Sequence, residues 1–114
     1  MLPSGASVIG PMRSGVIFVF GNGGGSATSA HFVCDLAKGT ASAGKRRLRA
    51  LSLAENVPLL TAWANDTDYT RVFSEQLKTL AHPGDVAVGI SGSGNSPNVL
   101  EAVRVARSLG LATV

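Results

Sequence analysis

Two clusters of side chains in this 114-residue chain have types and spacings that support chemistry. The first is Ile90-Ser91-Gly92-Ser93-Gly94-Asn95-Ser96-Pro97-Asn98, where three serines and two asparagines surround two glycines just ahead of a helical pattern. Serine hydroxyls and the unpaired N–H groups of a helix start are the donors that a phosphate dianion accepts from. A loop that only caps a helix needs one serine. The surplus hydroxyls therefore point to a bound phosphate. The loop has no lysine, which sets it apart from a P-loop, whose Lys and Ser/Thr serve a nucleotide and Mg²⁺.

The second cluster begins at Gly21-Asn22-Gly23-Gly24-Gly25. Glycine and asparagine turn through positive φ at little cost and let backbone N–H groups approach a ligand. Further along, His31 and Asp35 stand at i and i+4, which puts both on one face of a helix. Neutral imidazole plus carboxylate is half of a zinc site, or a His–Asp pair that only hydrogen-bonds; the residues alone leave both readings open. The other histidine, His82, falls in the turn His82-Pro83-Gly84-Asp85.

The elements that must position these groups alternate in kind. The apolar, β-branched and aromatic run Val-Ile-Phe-Val-Phe at 16–20 reads as a strand buried on both faces. Residues 26–38 read as a helix, with Ala27, Ala30, His31, Cys34, Leu36 and Ala37 as its stripe and Gly39 as its stop. A polar loop at 40–47 leads to a second strand at 48–53. Pro58 opens a short helix over 59–64. Residues 69–80 form an amphipathic pattern with Val72, Phe73, Gln76, Leu77 and Leu80 at helical spacing. A third strand at 86–90, a helix at 96–109 stopped by Gly110, and the opening of a fourth strand at 111–114 complete the pattern. Such alternation implies an α/β fold with a parallel sheet and right-handed crossovers. Both glycine-rich loops follow strands and precede helices, so both lie at the carboxyl edge where ligands of such sheets bind.

Composition sets outer limits. Hydrophobic residues at 45% against 15% charged belong to a globular domain, not a disordered chain. The net charge of +3 comes mainly from Lys45, Arg46, Arg47 and Arg49. No aromatics interleave with them, so they read as a solvated loop and not a nucleic-acid surface. The lone Cys34 offers no disulfide framework and fits a reducing cytoplasm. No apolar run approaches membrane-spanning length. Residues 1–12 lack the cationic start of a signal peptide, and 1–14 read as a loose leader remnant ahead of the domain at 15–114.

Gly21-Asn22-Gly23-Gly24, His31-Phe32, Ala64-Asn65-Asp66, Phe73-Ser74 and the long serine loop through Val99 together resemble the sugar isomerase (SIS) domain. Within that family the chain is most similar to the bacterial phosphoheptose isomerases, which convert sedoheptulose 7-phosphate to a heptose phosphate. The resemblance implies a three-layer α/β/α sandwich with a parallel sheet, flavodoxin-like, here incomplete. It implies a cytoplasmic homotetramer with sites between subunits, and zinc in some members. It assigns substrate contacts to Asn22, Gly23, Gly24, Asn65 and Asp66. It assigns phosphate to Ser91, Gly92, Ser93 and Ser96. His31 matches a metal ligand, and Asp35 falls where many members carry a glutamate that is both ligand and catalytic base.

The chain departs from the family pattern at several points. Gly25 stands where a serine often follows the glycine turn, and Gly92 replaces a frequent threonine. Asp for Glu at position 35 shortens the base by about 1.5 Å, a displacement that can be costly to catalysis. Family members also continue to a C-terminal helix with a catalytic histidine, which nothing here matches, so the resemblance reads as a partial SIS domain. Two rival readings follow. One is a non-catalytic module that binds sugar phosphates or partners. The other is a dinucleotide-binding half-domain, which the acid-free loop at 40–45 argues against.

Overall fold

The computed structural model describes residues 15–41 and 46–114. The proposed leader at 1–14, and Lys45 of the basic cluster, lie outside the described residues. The sheet has four parallel strands in the order β2-β1-β3-β4: β1 (Val16–Gly21), β2 (Arg49–Ser52), β3 (Val86–Ile90) and β4 (Ala112–Thr113). The order is the flavodoxin-like one. The apolar run at 16–20 takes the place its composition demands, between two other strands. Phe18, Val19 and Phe20 are buried on both faces of β1. The charged β2 is an edge strand and shorter than its expected 48–53, with Arg49 and Leu51 exposed.

Right-handed crossovers put α1 (Gly24–Gly39) on one face of the sheet and α2 (Val57–Asp66), α3 (Ser74–Leu80) and α4 (Pro97–Ser108) on the other. The core lies on that second face. Val16, Phe18 and Phe20 point into it and meet Val72, Phe73, Leu77, Val99, Ala102 and Ala106. The Phe20 and Phe73 rings are tilted, with centroids 5.6 Å apart, an arrangement aromatic pairs favour.

Three sequence expectations are corrected. The helix expected at 69–80 is a 3-10 turn at Tyr69–Arg71 followed by α3. Asp68 accepts from the Thr70 N–H at 2.9 Å and from the Thr70 hydroxyl, which tightens that first turn. The buried positions are nonetheless the expected Val72, Phe73, Gln76 and Leu77. Leu80 is 41% exposed. Helix α2 is longer than 59–64, because Asn56 Oδ1 caps it by accepting from Leu59 N–H at 3.1 Å.

The third correction concerns α1. It begins at Gly24, and its sheet-facing positions are Ser29, Ala30, Val33 and Leu36. Ser29 is fully buried, and its hydroxyl meets that of Ser52 on β2 at 2.9 Å. Ala27, His31, Cys34 and Ala37 of the expected stripe therefore face solvent, as does Asp35. A small buried hydroxyl pair, invisible to a hydrophobic count, thus lies on the sheet-facing side of the helix.

Candidate functional site

Gly21 and Ile90, the last residues of β1 and β3, are register partners. Both glycine-rich loops therefore leave the sheet side by side. Their packing leaves no room for side chains at two positions. A Cβ at Gly21 would meet the Ile90 carbonyl oxygen at 2.6 Å, and one at Gly25 would meet it at 3.1 Å. That contact gives a physical reason for Gly25 where the family often has serine. Gly23 adopts φ 51° and precedes α1 without a side-chain cap. The Gly25 N–H donates to Asn22 C=O at 2.7 Å and closes the first turn.

The serine loop is organised by its own hydroxyls. Ser91 Oγ lies 2.8 Å from Ser96 Oγ and 3.5 Å from Ser93 Oγ. Ser91 Oγ also accepts from Gly94 N–H, and Ser93 Oγ from Asn95 N–H, each at 3.1 Å. Ser96 is the N-cap residue of α4, yet its side chain does not cap the helix. A serine at this position ordinarily accepts from the first-turn N–H groups. Here it turns toward Ser91 and leaves those groups open, beside a hydroxyl cluster and at the positive end of α4. Gly92 is exposed with nothing within 4 Å of a Cβ.

One link joins the two loops. Asn22 Nδ2 donates to Asn98 Oδ1 at 2.8 Å, and Asn98 Nδ2 donates to Asn22 Oδ1 at 2.7 Å. Tyr69 O–H adds a third bond, to Asn22 Oδ1 at 3.0 Å. Asn98 is only 2% exposed. Neither Asn98 nor Tyr69 was singled out as a site residue by the sequence. Asn98 stood inside the serine motif, and its burial was the signal that no spacing rule displays.

Asn65 and Asp66 end α2 and are exposed, with Asn65 Nδ2 donating to Asp66 Oδ1 at 3.2 Å. The chain runs from them through Asp68 to Tyr69, which brings this end of α2 toward the loop pair. His31 and Asp35 are exposed on α1, about 10 Å and about 16 Å along the axis from its start. Neither makes a hydrogen bond among the described residues. No group of three His, Cys, Asp or Glu that could hold a metal ion occurs among the described residues. A zinc site needs three or four protein ligands, so His31 and Asp35 alone do not fit one.

Comparison with known proteins places this geometry. The SIS domain profile matches residues 11–114. The chain is 47% identical over 98 residues to a probable phosphoheptose isomerase of Thermoplasma acidophilum, covering 86% of this chain and 53% of that protein. It is 46% identical over 97 residues to the phosphoheptose isomerase of Paramagnetospirillum magneticum, covering 85% of this chain and 50% of the other. Among solved structures it superposes on the phosphoheptose isomerase GmhA of Neisseria gonorrhoeae with a TM-score of 0.76 at 37% identity, covering 88% of this chain and 50% of that one. A phosphoheptose isomerase of Francisella tularensis gives 0.80 at 29% identity, covering 87% and 51%. The chain thus spans about half the length of the relatives it matches. With two abutting glycine-rich loops at the carboxyl edge of a parallel sheet and a profile match over most of its length, this chain belongs to the SIS domain family.

Proposed function

We propose that the loop pair holds a sugar phosphate and that the protein carrying this chain is an isomerase of the phosphoheptose type, converting sedoheptulose 7-phosphate to heptose 7-phosphate. The observation that carries the phosphate reading is Ser96, which stands at the N-cap of α4 but joins Ser91 and leaves the helix start uncapped. Open N–H groups, a positive dipole end and clustered hydroxyls are what a phosphate requires. The relatives are named phosphoheptose isomerases, which supports a heptose phosphate as the sugar and isomerisation as the reaction.

The chemistry such a site would perform is an aldose–ketose exchange. A carboxylate removes a proton α to the carbonyl, an enediol forms, and an acid returns a proton at the neighbouring carbon. Asp35 is the proposed base. Asn22, Gly23, Gly24, Asn65 and Asp66 are the proposed sugar contacts, and Ser91, Gly92, Ser93 and Ser96 the phosphate loop. Zinc would require ligands beyond the described residues, and no step is assigned to it. We further propose a cytoplasmic homo-oligomer. Exposed Phe32, Leu51, Leu59 and Leu80 support self-association, and no helix among the described residues is long and apolar enough to cross a membrane.

Calorimetry tests the reading. The chain should bind sedoheptulose 7-phosphate more tightly than inorganic phosphate. Equal affinity for the two, or none for either, would overturn it. A non-catalytic sugar-phosphate module is the second reading, favoured by the exposed, unpartnered state of Asp35. Sugar-phosphate binding with no turnover in the full-length protein would favour that module, whereas retained turnover in an Asp35→Asn variant would place the base elsewhere.

A further inference from the structure

The carboxamide of Asn22 is held from two sides. Asn98, buried and 76 positions away, exchanges two hydrogen bonds with it. Tyr69, 47 positions away, donates its hydroxyl to the same oxygen. A carboxamide oxygen has two lone pairs, and the nitrogen has two N–H groups. Both lone pairs of Asn22 Oδ1 are thus taken, one by Asn98 and one by Tyr69. One N–H is taken by Asn98. A single N–H is left for a ligand.

We infer that Tyr69 and Asn98 are positioning residues that lock Asn22 as a donor-only contact between the glycine turn and the serine loop. The inference deepens the sugar-phosphate reading and rests on it. A fixed donor at this place selects an oxygen that accepts, such as a sugar carbonyl or hydroxyl oxygen. Holding the amide before the ligand arrives removes part of the ordering cost of binding. Tyr69 suits this role because it is 53% exposed and sits in a turn secured separately by Asp68. Its hydroxyl is not needed to satisfy the turn, and its ring is not part of the core.

The test is Tyr69→Phe, which removes one hydroxyl and leaves the core untouched. In the ligand-free chain, amide hydrogen exchange at Gly25, whose N–H donates to Asn22 C=O, should quicken at least threefold while the global unfolding midpoint stays put. Unchanged exchange would overturn the lock, whatever the chain binds. In calorimetry, the same variant should weaken sedoheptulose 7-phosphate about three- to tenfold and inorganic phosphate less than twofold. Equal weakening of both ligands, or of neither, would overturn the positioning role. In an Asn22→Ala background the hydroxyl should have nothing to hold, so Tyr69→Phe should change sugar-phosphate affinity less than 1.5-fold; a full additive loss would show that Tyr69 acts elsewhere. If the unaltered chain shows no preference for the sugar phosphate, the functional reading fails, and the ligand-free exchange separates that failure from failure of the lock.

Discussion

Asn22 and Asn98 exchange two side-chain hydrogen bonds, at 2.8 and 2.7 Å, across 76 positions of sequence. Asn22 lies in the glycine turn and Asn98 in the first turn of α4, directly after the serine loop, so the pair ties the two loops into one site. The strand register brings the loops adjacent by pairing Gly21 with Ile90. The amide pair then fixes their relative orientation. Paired amides in a partly buried position are favourable only when both partners are present, because either one alone leaves polar groups without partners. The arrangement therefore couples the glycine turn to the serine loop.

Phosphate binding is the first quantity to measure. Replacing Ser93 and Ser96 with Ala removes two hydroxyls from the cluster around the α4 start. Charge-assisted bonds contribute roughly 1.5–3 kcal/mol each. The double variant should keep its fold and lose affinity for a sugar phosphate by about that much per bond. Unchanged affinity by calorimetry in the folded variant would remove these serines from the site.

Glycine at two positions gives opposite expectations. Gly21→Ala drives a Cβ to 2.6 Å from the Ile90 carbonyl oxygen and 3.0 Å from the Gly25 carbonyl carbon, both backbone atoms. Overpacking of this kind typically costs about 1–3 kcal/mol, and the shift falls where both loops leave the sheet. At Gly92 an added Cβ meets nothing within 4 Å, so Gly92→Thr should stay within about 0.5 kcal/mol of the parent and restore the hydroxyl that family members frequently carry. Denaturant midpoints of the two variants decide the matter; equal midpoints would contradict the packing argument.

Much of this was legible in the sequence because the signals were local. The run at 16–20 announced a buried strand, and the serine loop announced a hydroxyl-rich turn just ahead of a helix. The misreadings at 69–80 and at the start of α2 came from local side-chain caps, Asp68 on Thr70 and Asn56 on Leu59, and the others involve contacts between distant residues. The expected stripe of α1 included His31 and Cys34, yet the buried side of the helix carries Ser29, paired with Ser52, and they face solvent. Tyr69 looked like one more residue of an amphipathic helix until its hydroxyl was found on Asn22. Periodicity counts apolar side chains along one segment and is blind to polar pairs between segments.

Acid stability should depend on Glu75. Its carboxylate, 11% exposed, receives Lys78 Nζ at 2.9 Å and Arg71 Nη2 at 3.0 Å. The bond from Lys78 holds its pKa below the ordinary glutamate value, with burial opposing and Arg71 assisting. A lowered folded-state pKa means the unfolded chain takes up the proton first as pH falls. The stabilisation is therefore complete above about pH 4.3, the ordinary glutamate value, and is lost as pH drops through the lowered one. Glu75→Gln should melt lower than the parent at pH 6, and the gap should narrow toward pH 3. Melting curves that stay equally separated across that range would show that the carboxylate charge is not the cause.

Turnover needs a base, an acid and a held phosphate in one place. The loop pair is the proposed phosphate site, and the proposed base, Asp35, itself stands about 16 Å along α1 from its start. Among the described residues the remaining imidazole, His82, is at the wrong end of the sheet. Its backbone N–H donates to Asp85 Oδ2 at 2.8 Å ahead of β3, whereas the serine loop follows β3, about 16 Å away across five residues of strand. Asp85 itself is buried and accepts from Val16 N–H at 2.9 Å, so it holds the start of β1 and is closed to substrate. The 114-residue chain tested by itself should therefore bind sedoheptulose 7-phosphate without converting it. In a longer protein that does convert it, Asp35→Asn should lower kcat by about 10²–10⁴ with little change in affinity, and His82→Gln should leave kcat within twofold. Conversion by the 114-residue chain, lost in His82→Gln, would place the acid at the far edge of the sheet and overturn this assignment.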